Sequence, residues 1–446
     1  MTSGADTGGE LGSEGDPGRA TAVEVDRLPA IAAGLRLAAR RFGTPVFVTD
    51  VATIDAAAAT VRDAFPDPWI RHYSLKANDV TAIVRLLVER GFDANVVSRG
   101  EWAIARRAGV ANERITFEGI GKIDADLRAA VRAAAGGSPL RWLAIESADE
   151  LAALRRLVAS GGRGRRLDLL YRLNPDVLPE TSHGLAVGAG GSKFGMTETE
   201  LTAAVEATVA AGGPLRPRGI HVHVGSQLGA VDAWRDAVRR ALALLALVRG
   251  SLPEFDTIDV GGGFPVAGLA DAVPSPSRFA RELPALLDAI PEDRRPARLA
   301  IEPGRRVVAR AGWLVARVLH VRDRGGPQVV IDAGMTELLR PALYGARHEI
   351  AALTSRGRPA DGPARRARAL TRSAVEGPIC ESTDSLGEHE LPPLRRGDLV
   401  AIRDAGAYGA SQGSAYNGRP RPPQVLLASD GSLVLARRRG SLASLG

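Results

Sequence analysis

Residues 71–79 read Arg-His-Tyr-Ser-Leu-Lys-Ala-Asn-Asp, and Lys76 among them is one of only three lysines in a chain that carries fifty-five arginines. An amine can lose its proton and condense with a carbonyl, whereas a guanidinium stays charged. Imine chemistry is therefore one reason for a lysine to persist where nearly every other cation is Arg. Lys122 and Lys193 persist as well, so scarcity alone does not choose among the three.

Other stretches offer complementary chemistry. Gly261-Gly262-Gly263 can be a plain tight turn, or a place where backbone N–H groups approach an anion without side-chain obstruction. It is neither the spaced glycine pattern of dinucleotide folds nor a Walker A loop. His221-Val222-His223-Val224-Gly225-Ser226 puts two imidazoles on one face of a strand. They suit a metal only if a third ligand joins them, with Asp259 and Glu302 the nearby acids, and no metal is assigned. Otherwise one imidazole packs on a planar ligand while Ser226 helps to hold its phosphate. Glu302-Pro303-Gly304-Arg305 is either a simple ion pair or a carboxylate for a protonated ring nitrogen, with Arg305 facing an acidic group. A lone Cys380 is a small apolar residue or a reactive thiol.

These residues need elements to position them. Strand-like runs occur at Trp69–Ala77, Gly91–Ser98, Arg114–Ile120, Trp142–Ser147, Leu167–Asn174, Arg218–Ser226, Phe255–Gly263 and Arg298–Arg305. Most intervals between them carry helical periodicity, as in Trp234 to Val248. Eight such units over about 240 residues predict a (β/α)8 TIM barrel, with an open doubly wound sheet as the rival. Lys76, Ser98, Glu118, Glu146, Arg172, His223, the glycine run and Glu302 all fall at or just past the C-terminal ends of their strands. In a barrel those ends share one mouth.

Beyond Arg305 the spacing shortens. Val307–Ala311, Trp313–Arg322, Gln328–Ala333, Asp398–Arg403 and Gln424–Ala428 with Leu433–Leu435 read as strands of a second, β-rich domain, joined by Pro45–Val48 from the other chain end. The expected organisation is a disordered leader over 1–25, an N-terminal piece of the β domain over 26–48, the barrel over 49–306 and the C-terminal β domain over 307–446. Residues 354–371 read as an exposed Arg- and Pro-rich loop.

Composition narrows the function classes. Hydrophobic residues make up 45% and charged residues 24%, an ordinary globular balance. The net charge of +7 comes from arginines scattered over helix faces, not clustered as nucleic-acid binding requires. No apolar run reaches the roughly 20 residues that span a bilayer. With a single cysteine and no secretion signal at the start, the reading is a cytoplasmic enzyme with no nucleic-acid or membrane partner. An imine-forming Lys, a phosphate cradle, an imidazole and a carboxylate together are what pyridoxal phosphate requires, and the strand-end position of Lys76 selects it from the three lysines.

Tyr73-Ser74-Leu75-Lys76-Ala77-Asn78, Val97 to Glu101, His221 to Gln227, Asp259 to Gly263 and Glu302 to Arg305 resemble the fold-type III pyridoxal-phosphate decarboxylases. Asp332 to Met335, Arg340-Pro341-Ala342-Leu343-Tyr344, Gly377 to Asp384 and Tyr416 to Pro420 are most similar to the diaminopimelate-acting branch of that family. The likeness runs from about Pro45 to Pro423 and implies decarboxylation of meso-diaminopimelate to L-lysine and CO2. It also implies a homodimer in which the segment around Cys380 completes the partner's site.

By this resemblance Lys76 forms the Schiff base, His223 stacks on the ring and Glu302 keeps its nitrogen protonated. Ser226, Gly262, Gly263, Gly304, Arg305 and Tyr408 belong to the cofactor site, and Cys380 supplies a proton. Arg305, Arg340 and Tyr344 serve the distal carboxylate of the substrate and Glu381 its ammonium, with Tyr408 also counted among the substrate-binding residues. Val187-Gly188, Arg347, the stretch Phe92 to Asn95 and the stretch Gly119 to Lys122 depart from the commoner forms. Those departures leave open a paralogue acting on another, modified or carrier-bound amino acid.

Overall fold

The computed structural model describes residues 26–160, 166–181, 185–189, 191–266, 273–361 and 369–445. The expected leader over 1–25 and residues 362–368 of the Arg- and Pro-rich stretch lie outside the described residues.

After β1 (Val46–Asp50), eight strands close into a parallel barrel. They are β2 (Ile70–Ser74), β3 (Asp93–Val96), β4 (Ile115–Phe117), β5 (Trp142–Ile145), β6 (Leu167–Leu173), β7 (Leu215–Val222), β8 (Thr257–Asp259) and β9 (Arg298–Ile301). The ring closes where β2 pairs with β9, Ile70 opposite Ala300 and Arg71 opposite Ile301. Helices between the strands bury one apolar stripe each. The helix Asp232–Arg249, for example, buries Trp234, Ala237, Val238, Ala241, Leu242 and Leu245, a three- and four-residue repeat. Strands are shorter than their apolar runs suggested, because the residues past each pairing register peel away to form the mouth.

The barrel wall has one tight seam. Gly219 on β7 lies opposite Thr257 on β8, and a Cβ there would sit 1.7 Å from the Thr257 carbonyl oxygen. Gly219→Ala is therefore expected to force the two strands apart and to cost about 3 kcal/mol or more, read as a fall in the urea midpoint. An unchanged midpoint would count against this seam.

The chain then builds a second, β-rich body from β10 (Gly312–Asp323), β11 (Pro327–Ile331), β12 (Ile350–Ala352), the short pair β13 (Thr354–Ser355) and β14 (Arg358–Pro359), β15 (Thr371–Glu376), β16 (Ser385–Leu391), β17 (Leu399–Ile402), β18 (Gln424–Leu427) and β19 (Leu433–Arg437). Its nine-stranded sheet inserts β1 between β10, antiparallel, and β18, parallel, so both chain ends contribute as expected. Behind it lies the helix Leu28–Phe42. Leu28, Ile31, Ala32, Leu35, Ala38 and Ala39 pack there with Val46, Val48, Trp313 and Val315.

Two sequence expectations change, and one strand was not anticipated. Val307–Ala311 is not a strand, since Arg305–Val308 forms a helical turn directly after Gly304. An unbroken apolar run does not distinguish the two states. The stretch 354–371 is not one loop, as β13, β14 and the start of β15 fall within it. The strand Ser385–Leu391 escapes notice because it exposes Gly387, Glu388 and Glu390, weak strand formers, while Leu386, His389 and Leu391 are buried.

The two bodies meet over the loop that carries Lys76. Tyr408 donates its backbone N–H to the Ala77 carbonyl at 2.8 Å, and the Asn78 side-chain amide donates to the Gly406 carbonyl at 2.9 Å. Among the described residues, no helix is long and apolar enough to cross a membrane.

Candidate active site

At the barrel mouth lies a cavity of about 410 Å³ lined from both bodies. Of the residues singled out in the sequence, Lys76, His223, Ser226, Gly263, Glu302, Gly304, Arg305, Arg340, Tyr344 and Tyr408 face it. Lys76 sits on the single turn Leu75–Ala77 that follows β2, held by its buried neighbours Leu75 and Ala77. Burial by itself lowers the Lys76 pKa, but the pull of Tyr408, Glu302 and Glu118 prevails and raises it above the usual value. The other two lysines are occupied elsewhere. Lys122 is buried 2.9 Å from Glu150 Oε1, and Lys193 lies over the Phe194 ring.

On the floor of the cavity, inside the barrel, is a tight group of acids. Glu302 at the end of β9 is buried, and its Oε1 accepts a hydrogen bond from Asn95 Nδ2 at 2.6 Å. His221 Nε2 lies 3.4 Å from that same oxygen and 3.7 Å from Glu118 Oε2. Burial, then the neighbouring Glu302 charge, push Glu118 up to about 8, and a carboxylate oxygen of each lies within 4.8 Å of the other. Burial lowers the His221 pKa, so the ring is neutral at pH 7. Deeper still, His72 Nδ1 lies 3.4 Å from Asp259 Oδ2 and its Nε2 lies 3.3 Å from Thr116 Oγ1. Burial, with Arg141 second, lowers His72 to about 4.

Opposite the acids is a cationic end. Arg305 donates to Ser226 Oγ from Nη2 at 3.1 Å and from Nε at 3.3 Å, and its guanidinium lies 4.7 Å over the Tyr408 ring. Arg340, on the turn Arg340–Tyr344, stands over Tyr344. Burial, then the Arg305 charge, push Arg340 down to about 10, so the two guanidinium groups face the cavity without full compensation. Such a pair favours an anion.

The glycine run is shaped by packing. Gly261 and Gly263 have φ of +70° and +92°, and a Cβ on Gly262 would come within 2.3 Å of the Glu302 carbonyl oxygen. The Gly262 N–H donates to His223 Nδ1 at 3.1 Å, which orients the imidazole at the cavity wall. Gly262 itself stands behind the wall.

Cys380 and Glu381 do not line the cavity. Both are exposed; Cys380 Sγ accepts a hydrogen bond from Asn417 Nδ2 at 3.4 Å, and Glu381 Oε2 accepts one from Thr383 Oγ1 at 3.3 Å. The structure adds residues that the sequence reading placed only at strand ends. Arg172 donates to Glu146 Oε1 at 2.8 Å and stacks over Phe194 at 4.7 Å, while Glu146 Oε2 accepts the Gly195 N–H at 3.2 Å. Glu118 joins Glu302 inside the barrel. Their signal was the clustering of charged residues at strand ends, without a way to tell which would touch.

The donor set fits pyridoxal phosphate. An amine, a buried carboxylate, an imidazole wall and the Arg305–Ser226 pair border one space. Both ring nitrogens of His221, Glu118 Oε1 and Asn95 Oδ1 are buried beside it without hydrogen-bond partners.

Comparison with known proteins agrees with this chemistry. Residues 51–309 match the family described as pyridoxal-dependent decarboxylase, pyridoxal binding domain. Diaminopimelate decarboxylase of Aquifex aeolicus is 34% identical over 408 residues, 91% of each chain. The Vibrio cholerae protein of that name is 34% identical over 91% of this chain and 93% of its own. The crystal structure of the Helicobacter pylori diaminopimelate decarboxylase complexed with L-lysine superposes with a TM-score of 0.82 at 29% identity, covering 92% of this chain and 98% of that one. With a lysine amine, a buried acid and a cationic rim all on one barrel mouth, the chain belongs to the pyridoxal-dependent decarboxylases, on the branch of the diaminopimelate decarboxylases.

Proposed function

We propose that this protein decarboxylates meso-diaminopimelate to L-lysine and CO2 with pyridoxal phosphate, as a cytoplasmic homodimer with composite sites. The observation that carries the reading is the cavity itself, in which Lys76 and Glu302 from the barrel face Arg305, Arg340 and Tyr344 across one space. Pyridoxal phosphate, when bound, supplies an electron sink for the pair released as CO2 departs.

The chain's own residues do the rest. Lys76 would hold the cofactor through its Nζ amine, the one group among the described residues lining the cavity able to condense with a carbonyl. Glu302 would pair with a protonated ring nitrogen, and His223, oriented by the Gly262 N–H, would form a wall against the ring. Ser226, Arg305, Gly263, Gly304 and Tyr408 would make up the phosphate end, with Gly262 behind them holding His223 in place. Arg340 and Tyr344, with Arg305 behind them, receive the carboxylate that is retained, so the substrate is aligned with its other carboxylate at the reacting carbon.

Cys380 and Glu381 are exposed on a segment outside the cavity of their own chain. A partner subunit that brings this segment over the mouth supplies the Cys380 thiol as proton donor and Glu381 as acceptor for the distal ammonium. The site is complete only in such a pair.

Purified protein assayed with diaminopimelate, ornithine, lysine and arginine tests the reading. Lysine and CO2 should form from diaminopimelate with a kcat/KM at least ~10²-fold above the others, because two charged groups are matched at the far end. No lysine from diaminopimelate, or faster turnover of another amino acid, would sink it. Arg340→Ala should lower kcat/KM for diaminopimelate by roughly 10- to 100-fold, mostly through KM, the usual loss for one charge-assisted contact. An unchanged KM would remove Arg340 from carboxylate recognition.

A further inference from the structure

We propose that Glu118 and Glu302 hold one proton between them, resting on Glu118, and that Glu118 is thereby a positioning residue for the carboxylate that faces the cofactor ring nitrogen. The inference rests on the cofactor reading above only in its second half, since proton sharing is a property of the protein alone.

Geometry assigns the proton. Both carboxyl groups are buried, 3% exposed for Glu118 and 2% for Glu302, and a carboxylate oxygen of each lies within 4.8 Å of the other and of a His221 ring nitrogen. Two carboxylates in such contact repel, so one must be neutral. Glu302 already accepts the Asn95 amide, which stabilises its anion, whereas Glu118 Oε1 has no partner. Glu118 is therefore the acid and Glu302 the base. The charged and titratable groups around them are His221 beside both, Lys76 above, Asp259 and His72 deeper in the barrel, and Arg172 towards His221. Lys76 faces both acids, so the Asn95 amide is what places the negative charge on Glu302.

The consequence concerns basicity. A carboxylate that accepts one bond from Asn95 and one from the Glu118 hydroxyl is a weaker base than a bare carboxylate. It leaves the proton on the ring nitrogen while still pairing with the charge there. The same linkage sets a pH dependence. An acid whose folded pKa is raised binds a proton that the unfolded chain has lost between about 4.3 and 8, so its stabilisation is full at low pH and lost as pH rises through that window.

The test uses the full chain in two states. In protein stripped of cofactor with hydroxylamine, infrared difference spectroscopy should show the carbonyl stretch of a neutral carboxylic acid at pH 7, titrating out near 8 and missing from Glu118→Gln. Absence of the band from the wild type, or its persistence in Glu118→Gln, would overturn the proposal. In reconstituted protein, Glu118→Leu should weaken cofactor binding roughly tenfold and shift the pH titration of the bound-cofactor absorbance, and Glu118→Gln, whose amide can still donate to Glu302, should restore most of both. Equal defects in the two variants would argue for mere packing and against positioning. A stoichiometric divalent ion found in the purified wild type would overturn the shared proton outright. Failure of the wild type to take up pyridoxal phosphate would instead defeat the cofactor reading, and the infrared band would still decide whether the proton is shared.

Discussion

Lys76→Ala should abolish the Schiff-base absorbance of the purified protein and lower turnover by roughly 10⁴-fold or more, the scale of loss when a covalent catalytic group is removed. The phosphate end does not involve Lys76, so pyridoxal phosphate should still bind reversibly to the variant and be lost on dialysis. The two remaining lysines provide the control. Lys122 is spent on Glu150 and the Gly119 carbonyl, and Lys193 stands outside the cavity. Lys193→Ala should therefore keep the absorbance band. A band retained in Lys76→Ala, or lost only in Lys193→Ala, would place the imine elsewhere.

The second large effect separates a proton donor from a bystander. Cys380→Ala should slow turnover by about 10²–10⁴-fold while leaving the cofactor absorbance intact, as expected where one proton transfer is removed and binding is not. In a single chain Cys380 is exposed and outside the cavity, so its effect depends on the partner. Mixing inactive Lys76→Ala and Cys380→Ala subunits should then restore activity. In random dimers half are hybrids, each with one native and one doubly defective site, so about a quarter of wild-type activity should return. No recovery after verified subunit exchange would refute composite sites. Full activity in Cys380→Ala alone would remove the thiol from the reaction.

Much of the barrel was readable because its signal is local. Each strand is a short apolar run and each helix an apolar stripe, and their alternation admits few topologies. The second body was less readable. β1 pairs in opposite senses with β10 and β18, partners more than 260 residues away, and β16 is held by pairing that its own Gly and Glu residues do not advertise. The helix Leu28–Phe42 had a usable signal in its three- and four-residue apolar spacing, obscured by the high alanine content of the whole chain.

For the site, residue type carried the chemistry: an amine that can lose its proton at Lys76, a carboxylate at Glu302, guanidinium groups at Arg305 and Arg340. These follow from side-chain pKa and from position at strand ends, which the sequence alone determines. What only the tertiary structure decided is contact. It turned the Gly262 N–H towards His223, seated Arg305 on Ser226 and Tyr408, and left Cys380 and Glu381 outside the cavity of their own chain. It also brought Glu118 from β4 against Glu302 from β9, two acids separated by more than 180 residues. Whether two carboxyl groups share a proton depends on separations of a few ångströms and on the water excluded around them, and neither quantity is written in the order of the residues.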